Sequence, residues 1–313
     1  MGLLSDLTPL NALTEKEKFL ANPTTNPVFK YVRTFSKTEL EDWGTPKEIV
    51  AQYCLKELQK DSLREPGEYV TQDFIRDSIE SFNKDYKLEQ PVHVEFSEHF
   101  ATKCRVSNDM ILFQLPLRYT IHTYRGLYRH ELETHILRRT NHWNNFGNKD
   151  VSTEVEFRRT EEGLANLHTH LFRKDKKIRK TFLSYYSTFL SQKYSFSRMF
   201  KILVDLGMTN DRAWNLCLRN KRGLVDTSKT GGFTKDICYL EGTIQVWEWL
   251  LNPKNDAKNL YIGRVSLDAI EPLIKQNKYS ITPPTFLENR DKYIDMITKI
   301  GEVNKFDVLK GLI

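Results

Sequence analysis

Apolar residues recur at helical spacing along most of the chain. In the first 90 residues three stretches read as helices: a short one from about Thr14, one through Ile49 to Leu58, and one from Thr71 to Tyr86. The second carries Ile49, Val50, Tyr53, Cys54 and Leu58 on one side, with Pro46 near its start, where a missing N–H costs little. From Pro91 the period changes to two. Val92, Val94 and Phe96 alternate with polar neighbours, and Met110-Ile111-Leu112-Phe113 follows the turn residues Ser107-Asn108-Asp109, so a small antiparallel sheet is expected. After Tyr119 the helical period returns, with segments near 119–140, 160–172, 178–193, 196–206, 210–220, 237–251, 267–277, 285–298 and 302–312. This order predicts an α+β, predominantly α-helical protein, with a helical flank over 1–90 and a second region over 91–313, the two forming one compact unit.

Composition narrows the class without naming a function. A chain of 313 residues with 39% hydrophobic and 28% charged side chains closes a sizeable core and is not disordered as a whole. Lys and Arg number 47 against 41 Asp and Glu; this net +6 suits an acidic partner and is too small to imply nucleic acid. No run approaches the roughly 18 to 20 apolar residues of a membrane span, and the opening Met1–Asp6 lacks a basic, then apolar, leader. Asp6 also occupies the position where a myristoylation signal needs Ser or Thr. Cys54, Cys104, Cys217 and Cys238 lie far apart with no CxxC pair, and together these features lead to the expectation of a cytoplasmic protein without membrane insertion.

The chemistry concentrates in Tyr128-Arg129-His130-Glu131-Leu132-Glu133-Thr134-His135. Two histidines bracket a Glu that directly follows the first, the arrangement of zinc-hydrolase helices in which imidazoles ligate and the Glu activates water. The spacing differs from HExxH. Histidines at i and i+4 lie about 40° apart around an α-helix, whereas i and i+5 lie about 140° apart. A π-type bulge around Leu132 to Thr134 restores a shared face and is therefore expected. A third ligand is sought in Thr160-Glu161-Glu162-Gly163-Leu164-Ala165, where small residues let another helix approach. Glu162 is the natural ligand and Glu161 its competitor, because adjacent helical residues point about 100° apart. His168 and His170, two apart and facing opposite ways, read as supporting or surface residues.

HELETHILRRTN, TEEGLANLH and RGLVDTSKTGGFTKDICYLEG, in this order, resemble the QEGLA-motif metallopeptidases, and in particular the microtubule-associated tyrosine carboxypeptidases that detyrosinate α-tubulin. The resemblance spans at least residues 90–250, with Asn26–Tyr31 also similar. It implies a gluzincin-like zinc metalloprotease fold in which His130, His135 and Glu162 hold one Zn2+ and Glu131 is the general base. The implied activity is hydrolysis of the last peptide bond of a protein tail, with tyrosine released from an acidic C-terminal tail such as that of α-tubulin. A microtubule-associated location follows from the same resemblance. One departure stands out: Glu133 occupies a place where the family has Gly, so this residue either strains the helix or points into solvent or the cleft.

A carboxypeptidase must also read a free carboxylate, which calls for cations with hydrogen-bonding neighbours. Arg222, at the start of the long loop 222–236, and Lys235 and Tyr239, at its junction with the next helix, are the candidates. Tyr239 alternatively stabilises an oxyanion, and Arg222 and Lys235 alternatively pair with Asp226 and Asp236 to hold the loop. Phe233 is a candidate pocket wall or loop anchor, and Arg173–Lys180, six cations in eight residues, a candidate steering ridge or a solvated linker. Two further readings remain: the same zinc peptidase acting on a non-tubulin protein, and a noncatalytic binding protein keeping the fold. Retention of Glu131 disfavours the latter. The length leads to the expectation of little more than the catalytic region.

Overall fold

The computed structural model describes residues 6–60, 67–98, 103–107, 109–276 and 278–313. Met1–Ser5 of the opening, Asn108 of the sheet turn and the last position of the helix expected over 267–277 lie outside the described residues. In chain order come α1 (Ala12–Ala21), α2 (Lys37–Glu41), α3 (Glu48–Leu58) and α4 (Gln72–Tyr86), then β1 (His93–Ser97), β2 (Cys104–Ser107) and β3 (Met110–Gln114). A helical rod follows, made of α5 (Ile121–His130), a π-helical segment (Glu131–Ile136) and α6 (Leu137–Phe146). Beyond it lie α7 (Glu154–His170), α8 (Arg179–Lys193), α9 (Phe196–Asp205), α10 (Asn210–Lys221), α11 (Ile237–Leu251), α12 (Leu267–Gln276), α13 (Arg290–Asn304) and α14 (Phe306–Lys310). The protein is α+β and predominantly helical.

At three helices the start departs from the hydrophobic spacing for local reasons. α7 begins at Glu154, earlier than the periodicity implies, because Thr153 and Glu156 form a capping box that satisfies the first free N–H groups. The short α2, which has too few apolar residues to show a period, is likewise set by a Ser36/Glu39 capping box. α13 starts at Arg290, later than expected: a separate 3₁₀ turn occupies Thr285–Leu287, and Asn289 accepts from the Lys292 N–H to start the helix.

The sheet corrects the expectation of an antiparallel one. Its order is β1-β3-β2; β2 and β3 are antiparallel, with Cys104 opposite Phe113, but β1 runs parallel to β3, with His93 opposite Met110. Alternation of apolar residues fixes which face is buried and carries no information on strand direction. The tight β2–β3 connection forces antiparallel pairing there, and β3 then inserts between β2 and β1.

The chain folds into two compact units, one from 1–62, 178–241 and 308–313, the other from 63–177 and 242–307. The first is centred on rings: Phe19 meets Phe196 at 5.0 Å and Phe200 at 4.9 Å, and Phe196 meets Trp214 at 4.9 Å. It pins the loop 222–236. Thr227 Oγ1 donates to Pro27 O at 2.6 Å, and buried Lys221 donates to Ser191 O at 2.9 Å and Lys229 O at 2.7 Å. Gly232, at φ +132°, leaves room for the Asn220 carbonyl, which a Cβ there would meet at 2.0 Å.

In the second unit α7 packs along α5 and the π-helical segment. Close approach on the other flank of α7 is made by two glycines: a Cβ on Gly163 would lie 2.2 Å from the Gly242 carbonyl carbon, and one on Gly242 would lie 2.0 Å from the Arg159 carbonyl oxygen. Gly163, directly after Glu162, carries no side chain because a backbone passes there.

Candidate metal centre

The helix widens where the histidine spacing requires it. Glu131–Ile136 is π-helical, and the Leu137 N–H donates to Leu132 O five residues back, so residues five apart share a face. His130 and His135 come together, with ring centroids 4.9 Å apart. From α7, Glu162 Oε2 stands 3.7 Å from His130 Nε2 and 3.7 Å from His135 Nε2. Among the described residues these three form the group of donors suited to a metal ion, with ligand atoms within 4.8 Å of one another. Two imidazoles and a carboxylate are donors that would hold a divalent metal ion, and the chemistry of this set fits such an ion.

The remaining ring nitrogens orient the donors. Thr169 Oγ1 donates to Ala165 O at 2.9 Å and so accepts from His130 Nδ1 at 3.1 Å, which leaves the His130 Nε2 lone pair toward Glu162. His135 Nδ1 faces Glu161 Oε2 at 3.6 Å. Burial disfavours a charged His135 ring, but Glu161 and Glu162 outweigh it and raise its pKa to about 10. The local field thus favours positive charge, whether proton or metal. Burial also raises Glu161, yet His135, Arg138 and Arg264 together bring its carboxyl down to about 2. Glu161 faces those cations, and Glu162 is the carboxylate that joins the two Nε2 atoms.

The groups that hold the π turn come from distant segments. Thr134 Oγ1 donates to Arg129 O at 2.8 Å, satisfying a carbonyl at the widened turn, and accepts from His168 Nδ1 at 2.8 Å. His168 Nε2 accepts from Tyr293 at 3.0 Å, and the Tyr261 hydroxyl donates to Glu133 O at 2.8 Å. His168 is fully buried, which pushes its pKa well below the usual value and keeps the ring neutral. His168 and His170 are both buried, so the surface alternative for them does not hold. The sequence pattern misses Thr134, Tyr261 and Tyr293 altogether; the one available signal is Thr134 itself, a hydroxyl inside the turn expected to widen.

Glu133 does not strain the backbone and does not point into bulk solvent. It is buried, has negative φ, accepts from the Tyr86 hydroxyl at 3.2 Å, and lies 4.0 Å from Arg129 Nε. Burial raises its pKa, with Arg129 and Tyr86 opposing. Glu131 is half-buried beside His130 and lines a narrow apolar recess with Cys104, Ile111 and Phe113 of the sheet.

Arg222, Lys235 and Tyr239 belong to the first unit. Arg222 lies over the Phe233 ring at 4.7 Å, and Phe233 is buried as a loop anchor. Lys235 is buried, its ammonium 5.8 Å from the Trp43 ring. Asp236 pairs with Arg219, Nη2 to Oδ1 at 2.8 Å, and Asp226 pairs with Lys229 and Ser228; the pairings weighed from sequence overlooked Arg219. Tyr239 hydrogen-bonds Arg219, and burial together with Arg219 lowers the Arg222 pKa. The cations of the run Arg173–Lys180 differ in their surroundings: Arg173 is buried and pairs with Asp175 at 3.2 Å, Lys176 donates to Leu171 O, and Lys174 and Lys180 are exposed.

An α+β fold in which a π-widened helix and the helix after it converge two imidazoles and a carboxylate defines a protein with a candidate metal centre. The sequence profile of the family described as microtubule-associated tyrosine carboxypeptidase matches residues 34–300, and the chain belongs to that family. It is 32% identical over 196 residues to the human protein named putative tyrosine carboxypeptidase MATCAP2, covering 59% of this chain and 36% of that protein. It is 27% identical over 327 residues to rat microtubule-associated tyrosine carboxypeptidase 1 and 26% identical over 327 residues to the human one, covering 97% of this chain and 69% of each relative. The chain thus spans little more than a third of the length of human MATCAP2 in that match. Among the described residues no helix is long and apolar enough to cross a membrane.

Proposed function

We propose that the protein is a zinc-dependent carboxypeptidase that removes a C-terminal residue, tyrosine first among candidates, from an acidic protein tail such as that of α-tubulin. The observation that carries this reading is the convergence of His130 Nε2, His135 Nε2 and Glu162 on one point beside Glu131. Two imidazoles and one carboxylate suit zinc and leave a position for water. Bound there, zinc supplies a Lewis acid that acidifies water and polarises the scissile carbonyl.

The chain's own residues do the rest. Glu131 takes the proton from the attacking water and hands it to the leaving amine; no covalent enzyme intermediate is involved. The apolar side chains of Ile111 and Phe113 line the recess beside that carboxylate. Arg222, Lys235 and Tyr239 bind the free α-carboxylate. The support for this assignment is that Arg219, Arg222 and Lys235 gather around Asp236, with Tyr239 hydrogen-bonded to Arg219, a cluster of donors suited to a carboxylate. The names of the relatives support tyrosine and microtubules as the terminal residue and partner.

Mass spectrometry of tubulin incubated with the protein, with and without chelator, tests the reading. Loss of one terminal tyrosine from α-tubulin is expected, abolished by chelator and reduced ~10²–10⁴-fold by Glu131→Gln with metal retained. An intact tail, with other peptides cleaved, would move the substrate to another protein; no cleavage of any tail by a zinc-loaded protein would leave a binding protein.

A further inference from the structure

Glu161 is next to Glu162 in sequence but occupies the opposite side of the His135 ring. Its Oε2 lies 3.6 Å from Nδ1, while Nε2 faces Glu162 Oε2. The carboxylate is almost wholly buried, and its other oxygen stands 3.9 Å from Arg138 Nη1 and 3.7 Å from Arg264 Nε. Arg138 is fixed in turn: it is fully buried and donates to Leu260 O at 2.9 Å and Val265 O at 2.9 Å. A chain of contacts therefore runs from the backbone at 260–265 through Arg138 and Glu161 to one face of His135.

We infer that Glu161 is a positioning residue for His135, holding the Nδ1–H tautomer and the ring rotation that turn the Nε2 lone pair toward Glu162 and His130. This rests on the metal-centre reading. An imidazole in the other tautomer presents an N–H to the ion and cannot ligate, and a carboxylate behind the ring also makes Nε2 a stronger donor. Arg138 and Arg264 offset the cost of burying that carboxylate and stop it from swinging round to compete with Glu162 for the ion. The neighbouring glutamates thus divide the work: Glu162 supplies a donor atom and Glu161 aims one.

The test is the zinc dissociation constant of the whole chain, read by competition with a chromogenic chelator, for the unmodified protein, Glu161→Gln and Glu161→Ala. Glu161→Ala is expected to weaken zinc binding ~10–100-fold, and Glu161→Gln, which keeps an acceptor oxygen but loses the charge, by a smaller factor of ~3–10. The visible spectrum of the cobalt-loaded protein should change in the Ala variant and largely recover in the Gln variant. A purely structural role would lower the melting temperature of both variants without changing the dissociation constant, and that result overturns the inference. Should Glu161→Ala fail to fold, the isosteric Gln variant decides, and a constant within twofold of the unmodified protein overturns the positioning role. Failure of the unmodified protein to bind zinc would instead sink the metal centre itself, a distinguishable outcome.

Discussion

Thr134 serves two partners from one hydroxyl, the Arg129 carbonyl and the His168 ring, inside the turn that brings His130 and His135 together. Thr134→Val keeps the shape and removes both bonds, leaving a carbonyl and a ring N–H buried with one partner fewer. A loss of about 1–3 kcal/mol is expected in denaturant unfolding, together with weaker zinc binding. Unchanged stability and unchanged affinity would mean that the π turn persists without that bond. The Glu133 side chain is accommodated locally: Tyr86 and Arg129 take up its carboxylate, and the Tyr261 bond to its carbonyl is indifferent to the side chain.

At the level of elements, the centre depends on how closely α7 is allowed to sit. Gly163→Ala puts a methyl group 2.2 Å from the Gly242 backbone, which forces α7 outward one residue from Glu162. Overpacking of this kind costs ~1–3 kcal/mol, and zinc affinity should fall with it; a variant with normal melting and normal affinity would show that the two backbones have slack. The π segment was legible in the sequence because two imidazoles at i and i+5 cannot meet on a regular helix, a constraint carried by two residues alone. Its supports were not, since His168, Tyr261 and Tyr293 meet Thr134 and Glu133 only through tertiary packing. The early start of α7 was written in Thr153 and Glu156, where capping chemistry outweighs the apolar period. Strand direction was not written at all, because alternation is the same for a parallel and an antiparallel neighbour. Within Arg173–Lys180 a related limit shows: charge in sequence does not distinguish a solvated side chain from one paired under cover, as Arg173 is with Asp175.

Across the whole molecule, each of the two units interleaves separate stretches of chain, and the candidate metal centre lies entirely within the one formed by 63–177 and 242–307. Everything proposed about catalysis depends on that unit holding one ion through His130, His135 and Glu162. An ion that binds the folded state adds RT ln(1 + [L]/Kd) to its stability, so zinc should also raise the melting temperature. The direct measurement is zinc bound per chain after equilibrium dialysis and elemental analysis, for the unmodified protein and for a variant carrying His130→Ala and His135→Ala. One equivalent is expected for the former and almost none for the latter; equal zinc content in the two, or none in the unmodified protein, would refute the metal centre.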